Sequence, residues 1–285
     1  MYEQFFGLSA RPFSLAPDPR FLLMTHQHEI AFIMLEYGIT GDSPITVLTG
    51  EVGSGKTTLL RHLVSQLDPS LRVGIVSHTH RDSGAILRWV AVAFGLEVGQ
   101  SDEAALYQGF RRFMQVERGA GRQLVLVIDE AQNLGAERLE ELRVFSNLNE
   151  GGQIDVQLIL VGQPELRDTL RRPELRQLTQ RIGADYHLSA LQPEQTAAYI
   201  RHRVAVAHGP ADLFSGRAIE IAHEHSGGIP RLINQLCNSA LVFGFAHRST
   251  RIDGEIMAHV VRSRTDGGLL PTGSGAMQRL DGSAT

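Results

Sequence analysis

The sequence predicts an α/β fold, a five-stranded parallel sheet core covered by helices on both faces, with an all-helical domain after it. Three observations carry this. Continuous apolar runs at 72–77, 123–128 and 156–161 read as strands buried on both faces, the mark of a parallel sheet. Helical patterns separate most of the five candidate strands, as parallel crossovers require. After Pro193 the pattern becomes helical throughout.

Residues 1–24 read as irregular, rich in Phe and Pro. Thr25 is placed to cap the helix that follows it, to about Ile39, where Ile30, Ile33, Met34 and Tyr37 recur at helical spacing. A strand at 45–49 follows, then a glycine-rich turn and a helix-forming run at 58–64. The second strand, 72–77, precedes helices over 83–95 and 102–118. The third, 123–128, precedes a helix over 136–149. The fourth, 156–161, leads to short helical pieces over 164–180 and a fifth strand at 184–188. Helices are expected over 194–207, 215–226, 230–246 and 253–263. A boundary near Leu191 divides a core, 1–190, from a helical lid, 191–265. Residues 266–285, rich in Gly, Ser and Thr, read as a disordered tail.

The 285 residues are 42% hydrophobic and 20% charged, which suits a globular protein. A net charge of −4 gives no global pull toward nucleic acid or acidic lipid, though it leaves room for a local basic face. The lone Cys237 excludes an internal disulfide and fits a small buried residue in a reducing compartment. No run approaches the roughly 18 apolar residues of a membrane helix, and the N-terminus lacks the apolar core of a secretory signal. The expectation is a cytoplasmic protein, reaching a membrane, if at all, through a partner.

Residues Gly50-Glu51-Val52-Gly53-Ser54-Gly55-Lys56-Thr57 match G-x-x-x-x-G-K-[ST] in full. The apolar run Ile45-Thr46-Val47-Leu48-Thr49 leads in and Thr58-Leu59-Leu60 leads out, giving the strand–loop–helix context this phosphate-binding motif needs. Glycines let main-chain N–H groups close around phosphates, Lys56 is placed for the β- and γ-phosphates, and the Thr57 hydroxyl for Mg²⁺. Asp129 and Glu130 follow the apolar third strand. A carboxylate at the C-terminal edge of a parallel sheet lies where ligands bind. Asp129 is the candidate Mg²⁺ holder, and Glu130 the candidate base for an attacking water.

Three further residues are candidates. The Gln163 amide is placed for the γ-phosphate or the water, or is a polar turn residue before Pro164. Arg181, just before the fifth strand, is placed to reach a neighbouring subunit's nucleotide, with Arg176 its rival. Arg231 opens a helix of the second domain and is placed to fold back onto the phosphates. The histidine pairs His26/His28, His78/His80 and His223/His225 lack the further ligands of a zinc centre.

Against these residues the chain resembles the AAA+ ATPases of the general secretion pathway protein A family, from Tyr2 to about Arg262. The opening Tyr2-Glu3-Gln4-Phe5-Phe6-Gly7-Leu8, then Arg11-Pro12-Phe13 and Pro17-Asp18-Pro19-Arg20-Phe21, carry the likeness. So do Asp129-Glu130-Ala131-Gln132, Val161-Gly162-Gln163-Pro164-Glu165-Leu166, Gln180-Arg181-Ile182 and Gly228-Ile229-Pro230-Arg231-Leu232-Ile233-Asn234. The resemblance implies ATP and Mg²⁺ as ligands and a helical lid after the core. It implies Gln163 as first sensor, Arg181 as intersubunit finger and Arg231 as second sensor, with Phe13 near the adenine. Full-length members add a membrane helix and a peptidoglycan-binding domain. On this resemblance the expectation is a member that looks more like the stand-alone forms found with exopolysaccharide, exosortase or pilus systems.

The leading expectation is therefore an oligomeric ATPase that assembles or regulates an envelope export system through a protein partner. The alternative is a nucleic-acid-binding AAA+ module resembling a transposition helper, with Arg111-Arg112 or Arg167, Arg171, Arg172 and Arg176 as its basic face. A nucleotide-gated scaffold without turnover has no use for Glu130. A GTPase would need an Asn-Lys-x-Asp motif, which the sequence lacks.

Overall fold

A computed structural model of the protein describes residues 1–16, 18–41, 43–77, 85–98, 102–147 and 156–267. Pro17, the pair His78/His80, the first two residues of the helix expected over 83–95, Leu148 and Asn149, and the tail from residue 268 lie outside the described residues. The chain divides into two compact units. One holds His26–Gly50 and Leu59–Leu188; the other holds Met1–Thr25, Glu51–Thr58 and the chain from Ser189 on.

The first of these is the sheet unit. Strands β1 (Ile45–Gly50), β2 (Leu71–Val76), β3 (Gln123–Ile128), β4 (Val156–Gly162) and β5 (Ile182–Leu188) pair in parallel, in the order β2-β3-β4-β1-β5. Every residue of β1 and β4 is buried, as central strands covered on both faces must be. The edge strands β2 and β5 mix buried and exposed positions. β5 begins at Ile182, two residues before the expected start, because Ile182 already pairs with Ile45.

Helices α1 (His26–Thr40), α2 (Lys56–Gln66), α3 (Ile86–Ala93), α4 (Glu103–Gly119), α5 (Gly135–Asn147), α6 (Pro164–Leu170) and the short α7 (Arg176–Thr179) fall between or before the strands. Asp102 caps α4, its carboxylate accepting from the Ala105 N–H at 2.7 Å. Aromatic rings knit α3, α4 and α5 together. Phe110 meets Phe145 edge-on at 5.5 Å, and Phe94 meets Phe113 at 5.6 Å. Helix α1 approaches the sheet through Gly38, where an added Cβ would lie 1.8 Å from Thr46 Oγ1 and 2.9 Å from Thr46 Cβ.

The other unit is helical: α8 (Pro193–Val206), α9 (Gly216–Ser226), α10 (Pro230–Ala246) and α11 (Gly254–Gly267). Helix α11 runs four residues past its expected end at 263. The N-terminal segment completes this core. Tyr2, Phe6, Phe13 and Phe21 are buried among Ile200, Phe214, Leu236 and Leu241, which explains the aromatic density of an otherwise irregular stretch. Arg203 of α8 fastens it. Its guanidinium is buried and donates to the Pro12 carbonyl, to Tyr199 Oη at 2.8 Å and to the Ser14 carbonyl at 3.5 Å, and it lies 4.9 Å over the Phe21 ring. Among the described residues no helix is long and apolar enough to cross a membrane.

Gly38→Ala sets two effects against each other. Helix propensity favours alanine by about 1 kcal/mol, whereas overpacking against Thr46 costs about 1–3 kcal/mol. The overlap at 1.8 Å decides for the second, so the variant should unfold at lower urea than the parent. An unchanged or raised midpoint would contradict the close packing of α1 on β1.

Candidate active site

Parallel pairing sends every strand's C-terminal end to one edge of the sheet. Thr49 of β1 lies beside Gly162 of β4, and Ile128 of β3 beside Leu160 of β4. Asp129 and Gln163, each the residue after its strand, therefore leave from neighbouring positions on that edge. The phosphate loop is the covalent continuation of β1 from Glu51. Arg181 precedes β5 and so belongs to the opposite edge.

Asp129 is buried at that edge, its N–H donating to the Val76 carbonyl at 2.9 Å. Its Oδ1 accepts from the Glu130 N–H at 3.0 Å. Glu130 takes a left-handed backbone, φ 55° and ψ 39°, which a non-glycine residue adopts at a cost. Such an outlier beside a sheet edge marks a place where side-chain direction has outweighed backbone comfort. Glu130 Oε2 accepts from Gln132 Nε2 at 2.6 Å and from Gln163 Nε2 at 3.1 Å, while Gln132 Oε1 accepts from the Gln163 N–H at 3.1 Å. A carboxylate only accepts and a main-chain N–H only donates, so these neighbours fix which way the Gln132 amide points. Gln132 was not singled out as a site residue from sequence. Its only signal was its place in Asp129-Glu130-Ala131-Gln132.

The phosphate loop belongs to the helical unit. Gly53 and Gly55 have φ of 82° and 105°, open to glycine and strained for other residues. The Lys56 ammonium, on a residue only 6% exposed, donates to the Glu51 carbonyl at 2.9 Å. Helix α10 starts against the loop: the Arg231 N–H donates to the Gly53 carbonyl at 3.2 Å. A Cβ on Gly53 would meet Arg231 Cβ at 2.4 Å, so the Arg231 stem covers the glycine while the residue remains exposed. Val52 is exposed, and Thr57 and Thr58 are half-buried in the first turn of α2. Phe13 is enclosed in the helical core, edge-on to Phe214 at 5.5 Å. Burial pushes the Cys237 thiol up, which leaves it unreactive.

A bound triphosphate fits this loop. Ser54 Oγ is buried and hydrogen-bonds nothing among the described residues, a polar atom that a phosphate oxygen would satisfy. The Thr57 hydroxyl and the Asp129 carboxylate are each, taken singly, the kind of oxygen donor that Mg²⁺ takes.

The AAA domain family matches residues 39–170. General secretion pathway protein A of Aeromonas hydrophila is 39% identical over 280 residues, 96% of this chain and 51% of that protein, so the chain spans about half the length of this relative. Among solved structures, the ORC2 protein of Aeropyrum pernix in its ADPNP-ADP complexes superposes with a TM-score of 0.66 at 18% identity, covering 89% of this chain and 71% of that one. The ORC1 protein of the same organism, in complex with DNA, superposes at 0.64 with 16% identity, covering 90% and 69%. These structures share the AAA+ fold: a five-stranded parallel sheet with flanking helices and a helical C-terminal part.

Gly53→Ala should destabilise the protein by about 1–3 kcal/mol, through positive-φ strain and the clash with Arg231. Val52→Ala, at an exposed neighbour, should stay within about 0.5 kcal/mol. Equal urea midpoints for the two variants would show that Arg231 does not pack on the loop.

Proposed function

We propose that this chain, which belongs to the AAA+ ATPases related to general secretion pathway protein A, binds magnesium–ATP and hydrolyses it to ADP and phosphate. The phosphate-loop amides, Lys56 and Ser54 hold the phosphates, and Thr57 and Asp129 hold Mg²⁺, which when bound offsets charge on the phosphate oxygens. Glu130 accepts a proton from the attacking water. Gln163 offers its amide to the γ-phosphate or that water. Arg231 adds positive charge from the start of α10, and Arg181 acts on the nucleotide of a second copy.

The observation that carries hydrolysis rather than binding alone is Glu130. Its carboxylate is held at the sheet edge beside Asp129, on strained backbone, by two amides. A protein that only bound nucleotide would gain nothing from that arrangement. The position of Arg181 at the other edge supports an oligomer, because an arginine there serves a neighbour's nucleotide better than its own. The kinship with general secretion pathway protein A supports a protein partner in an envelope export or pilus system, met in the cytoplasm or at the inner membrane. Phe13 and the segment around it are assigned to the adenine side on the resemblance alone.

The DNA-binding reading is less favoured. Of the arginines that would form its face, Arg167 pairs with Asp185 at 2.5 Å, Arg171 with Asp168 at 3.4 Å and Arg172 with Glu174 at 4.0 Å. Charges so offset attract phosphate weakly.

Lys56→Ala should abolish tight ATP binding in a fluorescent-nucleotide titration. Glu130→Gln should keep the affinity and lose ~10²–10⁴-fold in turnover. Wild-type turnover in Glu130→Gln would remove the base from its role. Arg181→Ala subunits, mixed with Lys56→Ala subunits, should restore activity, each supplying what the other lacks; no recovery at any ratio counts against a finger acting between chains. Stimulation of turnover by DNA, falling steeply with salt, would favour the nucleic-acid reading instead.

A further inference from the structure

We infer that Gln132 is a positioning residue: it joins Glu130 and Gln163 into one rigid group and so sets the aim of the base. The inference rests on the hydrolytic reading above. Gln132 uses both ends of its amide. Nε2 donates to Glu130 Oε2 at 2.6 Å, and Oε1 accepts from the Gln163 main-chain N–H at 3.1 Å. The Gln163 side chain closes the circuit by donating to the same Oε2 at 3.1 Å.

Three features show that the circuit is built in. Glu130 sits in the left-handed region, which directs its side chain back toward Gln132 at a backbone cost. Gly162 leaves the space the amide needs: an added Cβ would lie 2.9 Å from Gln132 Oε1 and 2.7 Å from Leu166 Cδ2. Gln163 stands just before α6 with extended backbone, φ −81° and ψ 169°, and its side chain does not cap that helix but donates to Glu130. Two N–H donors on one carboxylate oxygen are charge-assisted and directional. They hold a flexible glutamate in one rotamer, and a base that wanders by about 1 Å loses about 100-fold in rate.

The role predicts a specific pattern. Gln132→Met keeps the bulk without donor or acceptor, and Gln132→Ala removes both bulk and amide. Each should lower kcat ~10–100-fold, with KM and ATP affinity within about twofold of the parent. If Gln132 merely filled space, Gln132→Met would keep full kcat, and that result overturns the inference. Gly162→Ala should reproduce the kcat loss by pushing the amide aside. In a double-mutant cycle, Gln132→Met and Gln163→Met should be non-additive, the pair losing far less than the product of the single losses. Full additivity also overturns the inference.

A measurement on nucleotide-free protein separates this inference from the function it rests on. Glu130→Ala should shift the side-chain amide resonances of both Gln132 and Gln163 in a ¹H–¹⁵N spectrum. If neither moves, the circuit does not exist in solution. If both move but the parent never cleaves ATP, the hydrolytic reading fails and the positioning role falls with it, while the circuit itself stands.

Discussion

Parallel pairing of β3, β4 and β1 is the constraint on which the rest depends. Antiparallel neighbours would alternate their ends, and Asp129 and Gln163 would point to opposite sides of the sheet. In a parallel sheet Gly50, Ile128 and Gly162 end together, and whatever follows them shares an edge. That pairing is bought by crossover helices and by burial of both faces, which is why β1 and β4 carry hardly a solvent-facing atom. The meeting of Asp129 and Gln163 at one edge is thus a by-product of how the core excludes water.

Much of this was legible in the sequence, for physical reasons that differ from residue to residue. The phosphate loop was readable because its glycines, lysine and threonine each meet a demand that other side chains meet poorly. Asp129 and Glu130 were readable because charge directly after an apolar strand must lie at a sheet end. The Gln132 circuit was not, because a glutamine two residues after a glutamate has no periodicity or composition that announces a hydrogen bond to residue 163. Only tertiary pairing of β3 with β4 brings the two segments together. The left-handed Glu130 was hidden as well, since nothing in the identity of a glutamate forecasts positive φ.

The phosphate loop gives a second lesson. By chain order it belongs to β1, and the sequence divides the molecule accordingly near Leu191. By contact it keeps company with the helices: the Arg231 main chain donates to Gly53, and the arginine stem roofs the glycine. That bond uses one of the N–H groups that the start of every helix leaves without an internal partner. A hydrogen bond between two main chains carries no side-chain signature, and so a sequence motif for Arg231 points to its charge and misses its anchoring.

The aromatic residues that precede the sheet unit also govern when the helical unit can close. Tyr2, Phe6, Phe13 and Phe21 are made before the sheet unit, yet the helices that enclose them are made after it, from Ser189 on. During synthesis the sheet unit has all its own segments once residue 188 has emerged, and it can settle while translation continues. The aromatics ahead of the sheet unit find their partners only afterwards, about two hundred positions on in the case of Phe13 and Phe214. Contacts of such long sequence separation form slowly, so closure of the helical core is set by the arrival of its most distant segments.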